Sequence, residues 1–174
     1  MPRNHILTLL SGGDRRTIGR SDQVAAMVSN DPKLFPKLMA GLWSMDPRMR
    51  MRSADATEKV TRKNPGLLRP YKKELLGLMS ETTQQELRWH LALMVPRLHL
   101  TAKERTLAIA TLTTYLDDRS SIVKTFALQG LADLAQDDPA KQGRSDRDPT
   151  QLHPHRHPDM KARSRKLLLA LQRD

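Results

Sequence analysis

Four stretches of the chain repeat one arrangement of apolar and polar positions. Residues 87–98, LRWHLALMVPRL, are matched upstream by 49–60, MRMRSADATEKV, and downstream by 123–134, VKTFALQGLADL, and 160–171, MKARSRKLLLAL. Each opens with an apolar residue and a cation: Met49-Arg50, Leu87-Arg88, Val123-Lys124 and Met160-Lys161. Small or apolar residues then fall mostly four, five, seven, eight and eleven positions after the opener, which is the spacing of one helix face. The openers stand 38, 36 and 37 residues apart. That period accommodates two helices and two turns, so the pattern reads as a repeated helical hairpin.

The intervening residues supply the caps and breaks. Residues 5–10, HILTLL, form a short helix or arm, ended by the turn residues Ser11-Gly12-Gly13-Asp14. Ser21 or Asp22 caps a short helix carrying Val24, Met27 and Val28. Asp31-Pro32 opens a helix with Leu34, Phe35, Leu38, Met39, Leu42 and Trp43, and Asp46-Pro47 opens the first copy. That copy is expected to bury Met49, Ser53, Ala56, Thr57 and Val60. Beyond Asn64-Pro65-Gly66, Leu68, Tyr71, Leu75, Leu78 and Met79 mark another helix. Thr82 or Thr83 caps the second copy, whose end Pro96 kinks or shortens. Thr101 and Glu104 make a capping box for a helix whose apolar residues are Leu107, Ile109, Ala110, Leu112 and Leu116. Ser120 or Ser121 caps the third copy.

The period then falters. The organisation read from the chain is an N-terminal arm and capping helix over 1–30 and three hairpins over 31–138. An irregular Pro/His-rich crossing follows over 139–158, then a C-terminal capping helix over 159–174, with Met160, Leu167, Leu168 and Leu171 on one side.

These copies resemble the second helices of HEAT-type repeats, whose pattern is Val-Arg, two variable residues, then Ala-Ala, Ala-Leu and a final Leu. Val123, Lys124, Ala127, Leu128, Gly130, Leu131 and Leu134 follow it, as do Leu87, Arg88, Leu91, Ala92, Met94, Val95 and Leu98. The resemblance, to a small bacterial HEAT-repeat protein, covers residues 19–138 and implies an all-α fold, a right-handed α-solenoid whose second helices line a concave side. Family members often pair the repeat's cation with an aspartate six residues earlier. Here those positions are Ser44, Thr82, Asp118 and His155, so Asp118 with Lys124 is the pair expected to persist. Such solenoids usually bind macromolecules rather than catalyse, so no enzyme is expected.

Composition changes this picture modestly. Thirty Lys and Arg against 19 Asp and Glu give a formal charge of +11, which favours acidic partners. The excess is concentrated over residues 46–73, which hold nine cations and three acids, whereas 80–138 is close to balanced. There is no cysteine, which fits a reducing cytosol. The N-terminal apolar patch is shorter than the about 7 to 15 residues of a secretory signal or the about 20 of a spanning helix. The expectation is a cytoplasmic monomer, away from membranes and without a cofactor.

With the core positions so placed, the concave groove would present Arg52, Asp55, Lys59 and Arg62 from the first copy. It would add Trp89, His90, Leu93 and Arg97 from the second and Thr125, Phe126, Gln129 and Asp133 from the third. Arg52, Trp89, His90, Arg97 and Phe126 are the candidate partner-binding set, suited to a protein or peptide with an acidic or aromatic anchor. Arg48, Arg50, Arg62, Lys63 and Lys72 are candidates for steering phosphates or acidic partners, alongside Arg69 and Lys73. The alternative is a nucleic-acid binder using this basic stripe, remotely related to the DNA-alkylation-repair helical repeats. A base-excising enzyme would need an acid and aromatics in a cleft, for which only Asp55, Asp133 and Trp89 are candidates. His153, His155 and His157 alternate within LHPHRHP, but without a supporting Cys, Asp or Glu scaffold they make a poor metal site, and no metal is expected.

Overall fold

Asp46 and Pro47 show how the elements form. The Asp46 carboxylate accepts from the Arg48 backbone N–H at 2.9 Å, Pro47 takes the first helical position, and the helix runs to Lys63. Arg62 and Lys63 lie in its last turn, where the exposed carbonyls favour cations, and Asn64-Pro65 end it. The computed structural model describes residues 5–12, 14 and 17–136, and all their regular structure is helical. In order these are α1 (His5–Leu10), α2 (Ser21–Asn30), α3 (Phe35–Ala40), α4 (Pro47–Lys63), α5 (Lys72–Glu81), α6 (Gln85–Met94), α7 (Ala102–Tyr115) and α8 (Ser121–Gln136). The sequence copies at 49–60, 87–98 and 123–134 fall in α4, in α6 with its 3-10 extension Val95–Arg97, and in α8. None of these helices is long and apolar enough to cross a membrane. The expected crossing at 139–158, the cap at 159–174, the fourth copy and His153, His155 and His157 lie outside the described residues.

Packing follows the repeat. The helices α2, α4, α6 and α8 touch in succession, while α3, α5 and α7 pack on α4, α6 and α8 respectively, and α5 touches α7. The core is aliphatic, running from Ile6 and Leu10 through Leu42, Leu75 and Leu91 to Leu134. Polar ties accompany it: Tyr115 Oη donates to Met79 O at 2.5 Å, and Lys72 Nζ reaches Glu104 at 2.8 Å.

The turns before α4, α6 and α8 also repeat. Ser44 Oγ accepts from the Asp46 N–H, Thr82 Oγ1 from Gln84 and Asp118 Oδ1 from Ser120, at 3.2, 3.2 and 2.8 Å. Three different side chains do one job, holding the chain in the turn that launches the next helix.

Several expectations change. Ser21 does not cap α2, since its hydroxyl donates to Asp55 at 2.5 Å and Arg20 precedes the helix without a side-chain cap bond. Asp31 caps only the 3-10 turn Pro32–Leu34, because Pro36 interrupts the helix beginning there, and Trp43 is exposed. Residues 68–79 do not make one helix: Pro65–Tyr71 is 3-10, and α5 starts after Pro70. Leu107, Ile109 and Ala110 face out of α7, and Ala108, Leu112 and Tyr115 face in. The capping box of Thr101 with Glu104 forms, and Pro96 ends the α-helical hydrogen bonding of α6 at Met94.

Candidate binding face

Counting from the openers Met49, Leu87 and Val123 locates a face. The positions two residues on are Met51, Trp89 and Thr125; six on, Asp55, Leu93 and Gln129; ten on, Lys59, Arg97 and Asp133. All nine are half-buried. Steps of four residues make a stripe along each helix, and because α4, α6 and α8 lie side by side the three stripes compose one surface. Arg97 follows Pro96 in the 3-10 turn, which continues the α6 stripe.

Ion pairs and hydrogen bonds hold the polar side chains of this surface. Lys59 Nζ bridges Asp22 at 2.5 Å and Asp55 at 2.6 Å. Burial pushes the Lys59 ammonium down, but these two carboxylates outweigh it and its pKa is raised. Next to it, Arg62 and Arg97 converge on the buried Glu58 carboxylate, each at 2.5 Å. Arg97 also donates to Glu58 O and Thr61 Oγ1, both at 3.1 Å, which ties the end of the second copy to the first. Burial pushes the Glu58 carboxyl up, and hydrogen bonds and charge from Arg62 and Arg97 carry it below its ordinary value. On α8, Gln129 donates to Asp133 at 2.6 Å. Among the nine positions the charges cancel, Lys59 and Arg97 against Asp55 and Asp133, around Met51, Trp89 and Leu93. A surface of this kind suits an amphipathic partner more than a polyanion.

Two members of the expected partner-binding set lie here, Trp89 and Arg97. The others occupy a different register. Arg52, His90 and Phe126 all stand three residues after an opener, and Arg52 and His90 are buried. Arg52 is only 1% exposed, so it cannot present itself in a groove. Its guanidinium donates to the carbonyls of Leu10 at 3.0 Å, Asp14 at 2.7 Å, Thr17 at 3.2 Å and also Gly12. It therefore clamps the loop that follows α1 onto α4. A cleft of about 450 Å³ adjoins this clamp between α1 and residues 17–20, and Arg20 and Arg52 are its charged lining. His90 is 8% exposed, burial pushes its imidazole down to about 4 against the opposing pull of Asp55 and Glu58, and Nδ1 has no hydrogen-bond partner among the described residues. Phe126 is half-buried and packs on the core.

The steering cations also disperse. Arg50 and Arg88, each one residue after an opener, form a ladder between copies. Arg50 donates to Ser44 O and to Gln84, both at 2.8 Å; Arg88 donates to Thr82 O at 2.9 Å and to Asp118 at 2.6 Å. Asp118 thus pairs with the cation of the preceding copy, and Lys124, the partner expected from spacing, is exposed and has no acceptor among the described residues. Arg48 pairs with Asp46 at the start of α4 and Lys72 with Glu104 at the start of α5. Exposed cations remain at the turn from α4 to α5, where Lys63, Arg69 and Lys73 join Arg62. Glu58 and Met51 were absent from the sequence reading. The signal for Glu58 was available as its spacing of four residues from Arg62 on one helix. Among the described residues no group of three His, Asp or Glu could hold a metal ion.

No family model matches the chain, and no curated protein or solved structure is similar to it.

Proposed function

We propose that this chain is a HEAT-like right-handed solenoid that acts as a non-enzymatic scaffold and takes a protein or peptide partner on its concave side. The observation that carries the reading is the row of nine half-buried positions across α4, α6 and α8, apolar at its centre and balanced in charge. Trp89 and Leu93 supply the anchor area, and Arg97 and Asp133 fix the partner's register. Preorganisation supports the same reading, because the Arg62–Glu58–Arg97 pairs hold two cations in place before any ligand arrives.

A second reading draws on the exposed Lys63, Arg69 and Lys73 beside Arg62. They form a basic corner able to meet phosphates, giving a nucleic-acid binder whose affinity falls steeply with salt. One pair of experiments separates the two. Quantitative co-purification at about 150 mM salt is compared for the native chain, Trp89→Ala and the double variant Lys63→Glu/Lys73→Glu, alongside titration of labelled single- and double-stranded DNA and RNA at low and moderate salt. The protein-scaffold reading predicts a partner lost by Trp89→Ala by at least about 30-fold in affinity and retained by the double charge reversal. Nucleic-acid binding abolished by the charge reversal and untouched by Trp89→Ala would replace it.

A further inference from the structure

The face built by α4, α6 and α8 has two unlike edges. Arg50, near the start of α4, bonds Gln84 just before α6, and Arg97 after α6 bonds Glu58 near the end of α4, so these helices run parallel and in step. Gly130 against Ala92 keeps α8 close to the same register, since they stand seven and five residues after their openers. One edge therefore holds Met51, Trp89 and Thr125, all uncharged. The other holds Lys59, Arg97 and Asp133, all charged, with Leu93 between the edges on α6. Eight residues separate the edges on each copy, about 12 Å along a helix.

Arg97 keeps donors for a ligand. Its Nη1 N–H groups go to Glu58 O and Thr61 Oγ1, and one on Nη2 goes to the Glu58 carboxylate. A guanidinium carries five N–H donors, so Nε–H and one Nη2 N–H have no acceptor among the described residues. The side chain is 21% exposed, which lets a ligand reach them. Nε and Nη2 are neighbours on the guanidinium and match the two oxygens of a carboxylate. Glu58 is shared with Arg62, whereas Lys59 in the same row is already flanked by two carboxylates.

We infer that the partner is an amphipathic helix laid across α4, α6 and α8, its apolar side on Met51, Trp89 and Leu93 and an Asp or Glu on its flank docked on Arg97 Nε and Nη2. This rests on the reading of the face as a protein-binding surface and adds the partner's shape and charge. A helix is about 10 to 12 Å across, which lets one element cover both edges. An extended chain, about 5 Å wide between neighbours, would cover one. Backbone laid over Trp89 and Leu93 must satisfy its own polar groups, as a helix does. A partner strand would find no edge to pair with, because all regular structure among the described residues is helical. Helices packed about 8 to 10 Å apart place the outer two about 16 to 20 Å from each other, the length of roughly 12 residues of partner helix.

Random peptides of about 16 residues, displayed on phage, are selected on the immobilised full-length chain, and those that also bind the Trp89→Ala chain are discarded. The expected survivors carry apolar residues three and four apart with Asp or Glu beside them. In an isotope-labelled survivor the Cα chemical shifts should move to helical values on binding. Exchange of its acids for the uncharged amides should weaken binding by about 10-fold or more. On the Arg97→Lys chain, which keeps the charge and loses the fork, the same exchange should matter by less than about 3-fold. Survivors that stay extended, carry Lys or Arg on the flank, or bind equally well as amides overturn the inference and leave the protein-binding face standing. The absence of any survivor overturns both.

Discussion

Arg52 costs more to remove than any exposed cation of the chain, because the side chain is itself buried and its guanidinium gathers the carbonyls of the loop after α1. Four of them converge on the one guanidinium, and Arg52→Ala should lower stability by about 3 kcal/mol in urea unfolding. Arg52→Lys should recover only part of this, since an ammonium cannot reproduce the planar fork. Equal stability of the native and alanine chains would contradict the clamp. His90, at the equivalent place in the next copy, makes a pH prediction. Its folded pKa of about 4 lies below the ordinary 6.5, so the folded chain binds fewer protons than the unfolded one between those values. The stability concerned is present above pH 6.5 and is lost as pH falls towards 4, by about 2 kcal/mol at pH 5. His90→Phe, which installs the residue found at the equivalent Phe126, should flatten this slope in urea midpoints measured at pH 7.5 and 5. Parallel slopes would mean that His90 is not buried neutral.

Helices α6 and α8 meet where two sequence features coincide. Pro96 has no N–H to return to the Ala92 carbonyl, and Gly130 brings the α8 backbone onto that same carbonyl: an added Cβ would lie 2.6 Å from it. Gly130→Ala should therefore destabilise by about 2 kcal/mol despite the better helix propensity of alanine. At Gly77, in the middle of α5, a Cβ would meet nothing within 4 Å, so Gly77→Ala should stabilise by about 0.5 to 1 kcal/mol. Thermal melts of the two variants should move in opposite directions; a shared direction would show that backbone approach does not govern the α6–α8 seam. At this scale the sequence was informative at Asp46-Pro47 and at Thr101 with Glu104, where an apolar stripe follows a cap that forms. It was less so at Asp31 and at Thr82 or Thr83, since α6 follows Gln84 without a side-chain cap bond. It misled in α7, where Leu107 and Ile109 lie about 100° to either side of the buried Ala108 and blur the face. Ser21 was misread as a cap because its true partner, Asp55, lies 34 residues away.

The whole molecule rests on copies that are read twice, once as periodicity and once as geometry. The period and helix order were legible because openers and caps are local signals. Most of the face was legible from register: Asp55, Lys59, Trp89, Leu93, Arg97, Thr125, Gln129 and Asp133 are expected on it from the core spacing, whereas the same spacing also puts Arg52 and His90 there, and both are buried. Their burial depends on neighbours far along the chain, the loop after α1 for one and α4 for the other. Net charge was similarly indirect, since Arg50, Arg52 and Arg88 are spent on internal acceptors and leave the exposed excess at the turn from α4 to α5. The most direct test of the central claim is site-specific photocrosslinking in cells that naturally make this protein, with a photoreactive residue placed in turn at Leu93, Gln129 and the outward-facing Ala110 and Thr113 of α7. The expected result is a shared protein adduct from positions 93 and 129 and none from 110 or 113. Adducts arising from α7, or from neither surface, would contradict a partner-binding face built by α4, α6 and α8.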